Sequence, residues 1–387
     1  MAEVKRSAFL NSRDGAAGPL SLSAELALEI LGREARSKQD CDDLGDSWFG
    51  EPFRIIWQTL RTKEISPMGQ QAIWATLQRI SCNRALLQDA QRTDPPTGPS
   101  PPLFIAGPPR TGTTLLFNLF SQSTRLRPPL YWEGLRPLAP RKGRDDRQEL
   151  AFAEVRALRR LLPELDAVHR FVADGPEECT WLLQNSFVSM AFDMQWDLPE
   201  YAEWLMTADV GPGYRHYRTQ IAELMRGREE STFLSKSPSH FFALRALAEV
   251  FPESKIIVTR RPARSFVPSM ASMYYTSRLL FFPRTDKATI GPHVLDLLRV
   301  ASANLRGLRS EHPSRFIDVD YETLIQDPVG VADAALGAAN LPDPAFSERA
   351  QSWVDREKKG PRPATHSYTL DEFGLTEEDL DALDSSP

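Results

Sequence analysis

Residues 102-PLFIAGPPRTGTTLLFNLF-120 constrain the fold more than any other stretch of the chain. A short apolar run breaks at a Gly-Pro-Pro-Arg-Thr-Gly turn and resumes as a helix-forming segment. A strand that feeds a glycine-rich turn and then a helix gathers backbone N–H groups around one point, and the helix N-terminus adds partial positive charge. The spacing, Gly-x4-Gly followed by Thr-Thr, has the outline of a phosphate-binding loop, yet Thr113 stands where the nucleoside-triphosphate pattern has lysine. An anion held here must be neutralised by amides and neighbouring side chains. Gly112 permits close backbone approach, Thr113 and Thr114 bring hydroxyls and first-turn amides, and Arg110 holds a guanidinium beside the cradle. The same stretch also suits a tight turn that opens a buried helix.

Two later stretches repeat the strand–turn–helix plan: 231-STFLSKSPSHFFALRALAEVF-251 and 254-SKIIVTRRPARSFVPSMASMYY-275. A fourth strand with a helix behind it follows in 315-RFIDVDYETLIQDPVGVADAAL-336. Strands that alternate with helices imply a parallel sheet with ligands at its carboxyl edge. The expected fold class is therefore α/β: a P-loop-like three-layer fold with a central parallel sheet, a helical N-terminal extension and a helical cover. Residues 1–21 read as a disordered or weakly ordered start. Residues 22–92 read as helices, with Ser66-Pro67 as a helix-start signal. The proline-rich stretch 93–102 cannot continue a helix and reads as a linker. The remaining domain, 102–387, carries helical insertions at about 140–230 and 279–310, loop character over 356–377 and an acidic end.

Composition limits the partners. The net charge is −6 and the pI about 5.7, so any positive site is local, and neither nucleic acid nor an anionic membrane is favoured as main partner. Cys41, Cys82 and Cys179 are scattered, without zinc spacing or an even count for a disulfide framework. They read as buried or free thiols of a cell interior. No apolar run approaches the roughly 18 residues of a membrane span, and the first twenty residues lack the apolar core of a secretory signal. His169, His216, His293, His312 and His366 show no metal-binding spacing. The expectation is a cytoplasmic protein with no resident metal.

Four motifs in order, PRTGTTLL, LSKSPSH, KIIVTRRPARSFVPS and DYETLIQDP, resemble those of the sulfotransferases that use 3′-phosphoadenosine-5′-phosphosulfate (PAPS). The likeness covers about residues 25–380 and is greatest to the bacterial branch with a helical N-terminal extension and arginine in the loop. It implies that the amides of Thr111, Gly112, Thr113 and Thr114 hold the 5′-phosphate, with Arg110 beside the bridging oxygen. It also implies a 3′-phosphate held by an arginine at a strand end and a serine eight residues on. Arg261 with Ser269 fits that step, while Arg260 is better placed relative to Pro262. A guanidinium fork suits a phosphate dianion. Lys358, Lys359 and Gly360, with Arg362 beyond, resemble a basic lid over the same phosphate. Tyr321 matches a position near the adenosine or anchors the strand end. Leu115 replaces the tryptophan that often stacks on adenine in the cytosolic branch.

Sulfuryl transfer to a hydroxyl needs a base for the acceptor proton, positive charge at the leaving phosphate, and in-line positioning. Lys236, expected at a strand end, matches the family's lysine at the transferring group. Two residues compete as base. Glu133, in PPLYWEGLRP, matches the glutamate of the loop-arginine relatives, and otherwise reads as a capping or ion-paired acid. His240 is similar to the Lys-x-His of the cytosolic branch with altered spacing, and otherwise reads as a satisfied histidine at a helix start. The acceptor class is a hydroxyl of a small molecule, lipid or glycan. The aromatic runs 179-CTWLLQNSFVSMAFDMQWDLPEYAEW-204 and 273-MYYTSRLLFFP-283 read as core faces before they read as acceptor walls. Competing functions are a P-loop kinase, disfavoured by the missing lysine and metal aspartate, and a non-catalytic nucleotide-binding protein on the same fold.

Overall fold

The computed structural model describes residues 18–41, 43–96, 98, 100–161, 170–359 and 369–385. The described residues open with a 3-10 turn, Pro19–Ser21, whose Pro19 is buried. Three helices follow: α1 (Ala24–Gln39), α2 (Gly50–Arg61) and α3 (Pro67–Thr93). Ser66 caps α3 as the Ser-Pro signal anticipates: Pro67 occupies the first turn, and the Gly69 N–H donates to Ser66 Oγ at 2.9 Å.

The sheet section begins with β1 (Leu103–Ile105), α4 (Thr113–Phe120), β2 (Leu126–Arg127), α5 (Tyr131–Leu135) and α6 (Arg147–Leu161). The cover helices are α7 (Thr180–Asn185), α8 (Ala191–Trp196), α9 (Pro199–Thr207) and α10 (Gly211–Leu224). Then come β3 (Thr232–Lys236), α11 (Pro238–Phe242), α12 (Leu244–Val250), β4 (Ile256–Arg260), α13 (Ala263–Arg278) and α14 (Ile290–Glu311). The chain closes with β5 (Phe316–Asp320), α15 (Tyr321–Gln326), α16 (Pro328–Ala338), α17 (Phe346–Lys358) and α18 (Glu377–Ser385).

The strands lie in the order β2-β3-β1-β4-β5 and every pair is parallel. The two-residue β2 is the strand absent from the sequence expectation. From central β1 the chain runs to one edge and returns through β3, then crosses to β4 on the far side. This strand-order switch is where open parallel sheets bind ligands. Ile105 stands level with Lys236, so the lysine emerges at the same edge as the loop that follows β1.

Period-2 alternation divides the core between the two faces. Leu103, Ile105, Leu234, Ile257 and Val319 pack on α4, α16 and α17 through Leu116, Phe120, Leu336 and Phe346. Phe104, Phe233, Ile256 and Val258 face the N-terminal and cover helices. The aromatic run 179–204 lies largely in that core: Phe187, Phe192, Trp196 and Tyr201 are all buried. No helix among the described residues is long and apolar enough to cross a membrane.

Candidate functional site

The loop after β1 is shaped by two glycines that admit no side chain. A Cβ on Gly107 would lie 2.2 Å from Thr259 Oγ1 and 2.9 Å from the Thr259 backbone N, so the loop leaves the sheet pressed against β4. Gly112 has φ +90°, and a Cβ there would lie 2.9 Å from Tyr321 Cδ2. Between them Arg110 also takes a left-handed conformation, φ +68°. Such strain costs roughly 1–3 kcal/mol and persists where surrounding contacts over-determine it. The Thr111 hydroxyl donates to the Pro108 carbonyl at 2.6 Å and accepts from Thr259, which pins this fully buried residue to the loop and to β4. Gly112 is the N-cap of α4 and has no side chain to satisfy the first-turn amides. The head of α4 is therefore an open anion cradle.

Three elements meet around that cradle. Arg110 Nε donates to Ser269 Oγ on α13 at 2.9 Å. Arg261 Nη1 donates to the Arg110 carbonyl at 2.7 Å, and its guanidinium lies 4.0 Å from the Tyr321 ring centroid. Arg110, expected beside a bridging oxygen, is thus turned toward Ser269. The adjacent arginines differ in their partners. Arg260 Nη2 donates to Asp318 at 2.9 Å, an acid already shared with Arg309, whereas Arg261 sits on the loop. The N-terminus of α13 is filled from α18, where the Asp384 carboxylate accepts the Ala263 N–H at 2.9 Å. Ser269 is left as the polar group that α13 turns toward Arg110.

Lys236 ends β3 and is only 3% exposed. Its ammonium donates to Thr114 Oγ1 at 3.2 Å, which brings it to the cradle, and forms an ion pair with Glu178. Glu178 is held there because the next residue, Cys179, donates its N–H to the Lys236 carbonyl at 2.7 Å. Sequence reading missed Glu178: it lies 58 residues from Lys236, and nothing local ties the two. The signal present was the acidic pair Glu177-Glu178 after Gly175-Pro176, at the start of a run otherwise apolar.

Neither expected base has this placement. Glu133 is buried; one carboxylate oxygen is ion-paired with Arg127 and the other accepts the Leu130 N–H at 2.8 Å, capping α5. This is the capping role. His240 is sealed in the core, with Nε2 at 2.8 Å from Ser235 Oγ, Nδ1 at 3.1 Å from the Tyr214 hydroxyl, and Phe104 edge-on. Burial pushes its pKa down to about 3. The ring is turned inward, and the residue is fully buried.

Lys358 and Lys359 are exposed at the C-terminal end of α17. Gly360 and Arg362, like His169 and His366, lie outside the described residues. Leu115 is half-buried. Just past Glu178, Trp181 joins Tyr131 and Phe171, with ring centroids 5.9 and 6.1 Å away, and partly buried Trp132 packs on the same cluster. The three cysteines are unpaired.

Comparison with known proteins gives one consistent result. Residues 101–346 match the Sulfotransferase family. The omega-hydroxy-beta-dihydromenaquinone-9 sulfotransferase Stf3 of Mycobacterium tuberculosis is 28% identical over 251 residues, 59% of this chain and 60% of that protein. The Stf3 of Mycobacterium bovis matches equally. The match thus spans about three fifths of those relatives' length. Among solved structures, sulfotransferase STF9 from Mycobacterium avium superposes with a TM-score of 0.78 at 23% identity, covering 92% of this chain and 94% of that one. Sulfotransferase STF1 from Mycobacterium tuberculosis H37Rv gives 0.76 at 24%, covering 93% and 98%. These two likenesses establish the fold.

Proposed function

This chain belongs to the sulfotransferase family, and from that premise we propose that it transfers a sulfuryl group from PAPS to the hydroxyl of a small-molecule, lipid or glycan acceptor. One observation carries the reading. An open helix head, a buried lysine bonded to its second threonine, and a carboxylate held on that lysine occupy one edge of the sheet.

PAPS is the co-substrate that supplies the activated sulfuryl group. The cradle fits its 5′-phosphate, because Gly112 caps α4 without a side chain and leaves the first-turn amides without a side-chain partner. The amides of Thr111 to Thr114 bind that phosphate. Arg261 and Ser269, with Arg110 turned to the same place, bind the 3′-phosphate. Tyr321 orients Arg261 and walls the loop at Gly112. Lys358, Lys359 and Gly360 remain proposed as the lid over this end.

Lys236 brings positive charge to Thr114, next to the place where charge builds on the leaving oxygen. In a site that excludes water such a fixed charge is worth far more than in solution. Glu178 takes the proton of the acceptor hydroxyl. It is half-buried and lies against Lys236, whereas Glu133 is committed to Arg127 and the α5 cap and His240 is enclosed. The aromatic cluster of Trp132, Phe171 and Trp181 near Glu178 suits an acceptor with an apolar body. A lipid alcohol is consistent with the name of the Stf3 relatives. The unpaired thiols fit a cytoplasmic location.

The test compares thermal stabilisation by adenosine 3′,5′-bisphosphate, 5′-AMP and ATP with magnesium, then measures transfer from sulfur-labelled PAPS to a panel of alcohols and phenols. Selective stabilisation by the bisphosphate together with labelled product supports the reading. Stabilisation by ATP with magnesium alone would turn it toward a kinase. Bisphosphate binding with no product from any acceptor would leave only a nucleotide-binding protein.

A further inference from the structure

Seven large apolar side chains are exposed among the described residues, and four of them, Leu150, Phe152, Leu161 and Val172, belong to α6 or to the segment that returns beside it. Single exposed apolar side chains are normal on a protein surface, whereas their grouping marks an interaction site.

The inner face of α6 is fully engaged. Ala151 and Val155 are buried with Tyr131, Leu135 and Ala173, and Trp132, Phe171 and Trp181 pack on them. Arg147 lies over the Trp132 ring, 4.7 Å from its centroid, and Arg159 Nη2 donates to the Phe171 carbonyl at 2.9 Å. α6 is thus the outer wall of the aromatic cluster near Glu178.

The outer face has a pattern of its own. Leu150, Ala153, Ala157 and Leu161 recur at i, i+3, i+7 and i+11, which is one stripe along a helix, and all four are exposed. Arg156 and Arg160 stand three residues after Ala153 and Ala157, so they run alongside the stripe, exposed as well. Phe152, four residues before Arg156, flanks it on the far side. Neither arginine has an ion-pair or hydrogen-bond partner among the described residues. The glutamates of α6 are already matched, Glu149 by Arg144 and Glu154 by Arg136. Between Val155 and Val172 the sequence carries four arginines, Arg156, Arg159, Arg160 and Arg170, against the two acids Glu164 and Asp166. The chain as a whole has a net charge of −6, so this local excess of positive charge stands apart from the rest of the surface.

The composition of the face selects its partner. Leu150 and Leu161 lie about 16 Å apart along the helix axis. That is too far to share one pocket of a folded partner, where anchoring side chains cluster at the centre. A bilayer accepts apolar side chains singly and at any spacing. Guanidinium forks match lipid phosphates, and a helix face that combines arginine with leucine and phenylalanine suits the layer between water and acyl chains.

We propose that the outer face of α6 docks on an anionic phospholipid bilayer, with Arg156 and Arg160 at lipid phosphates and Leu150, Phe152 and Leu161 entering the headgroup layer. Docking in this pose puts the aromatic cluster one helix diameter, about 10 Å, from the membrane surface. Vesicle binding needs no turnover, so this surface stands or falls apart from the sulfuryl-transfer reading.

The experiment is flotation of the full chain with phosphatidylcholine vesicles prepared with and without phosphatidylglycerol. Expected is binding to the mixed vesicles that weakens with added salt, and far less binding to phosphatidylcholine alone. Each arginine near such a surface contributes about fivefold, so the double variant Arg156→Gln/Arg160→Gln binds about 25-fold more weakly. Leu150→Ser/Leu161→Ser weakens binding at unchanged charge. Arg306→Gln removes an exposed arginine from α14 and leaves binding within about twofold, because that charge lies outside the face. All five positions are exposed, and circular dichroism verifies that each variant is folded. No binding of the parent protein to the mixed vesicles would end the proposal. Parent-like binding in the folded double arginine variant, or an equal loss in Arg306→Gln, would overturn it as well.

Discussion

Replacing Gly112 by alanine separates backbone strain from contact at the loop. Gly112 holds φ +90°, where an L-residue costs about 1–2 kcal/mol. The new Cβ would also lie 2.9 Å from Tyr321 Cδ2 and 3.2 Å from Leu324 Cδ2. The tyrosine ring cannot move without disturbing Arg261, whose guanidinium rests on its face at 4.0 Å, a contact worth about 0.5–1 kcal/mol. Overpacking of this kind adds about 1–3 kcal/mol. Gly143→Ala is the matched control: φ is +87°, and nothing lies within 4 Å of the new Cβ. Its strain is partly offset by the lower entropy of the unfolded chain, leaving a net loss of about 1 kcal/mol. Gly112→Ala should therefore lose about 2–4 kcal/mol in urea unfolding against about 1 kcal/mol for Gly143→Ala. Calorimetry should show adenosine 3′,5′-bisphosphate bound at least about tenfold more weakly only by Gly112→Ala, because Arg261 is displaced with the ring. Equal stability losses in the two variants, or full nucleotide affinity in Gly112→Ala, would refute the reasoning.

Other expectations follow from single contacts. Arg261→Ala should weaken bisphosphate binding in the same titration, while Arg260→Ala, whose side chain is spent on Asp318, should leave it within about threefold; the reverse order would move the second phosphate to Arg260. His240→Asn removes a ring hydrogen-bonded on both sides in the core and should cost about 1–3 kcal/mol in chemical denaturation, with the pH profile of kcat unchanged. A lost ionisation in that profile would restore the histidine as base. Asp343 is desolvated, which alone would raise its pKa, but Arg349, Ser123 and the Thr124 N–H bind its carboxylate and hold it at about 2. A depressed carboxyl pKa stabilises the fold above the unfolded value of 3.8, and that contribution disappears as pH falls toward 2. Asp343→Asn should thus be less stable than the parent by about 2 kcal/mol at pH 6, with the gap closing below pH 3; a gap independent of pH would refute the linkage.

The sheet was readable because β1 and β4 are built on apolar runs bounded by polar or glycine-rich turns and β5 alternates apolar and acidic residues, and the period-2 split of β1 follows from three consecutive apolar residues buried on alternate faces. β2 was not readable, since two residues carry no periodicity. The loop was legible residue by residue because Gly107 and Gly112 are demanded by local backbone geometry. Arg110 belongs to that loop by sequence, but its reach to Ser269 depends on how α13 lies across the sheet edge. Glu178 depends on a backbone bond from Cys179 to Lys236 that closes a long excursion through the cover, and no local pattern encodes that. His240 illustrates the converse. Its spacing from Lys236 invited a chemical role, and the five-residue α11 turns it into Tyr214, Tyr217 and Phe104.

The most direct measurement is transfer of labelled sulfate from PAPS by Glu178→Gln beside Glu133→Gln, with adenosine 3′,5′-bisphosphate affinity recorded for both. With Glu178 as base, Gln at that position lowers kcat by about 10²–10⁴-fold and leaves nucleotide affinity intact. Gln at position 133 loosens α5 and lowers stability first. Full turnover in Glu178→Gln, with turnover abolished in a stably folded Glu133→Gln, would contradict this assignment of the proton acceptor beside Lys236.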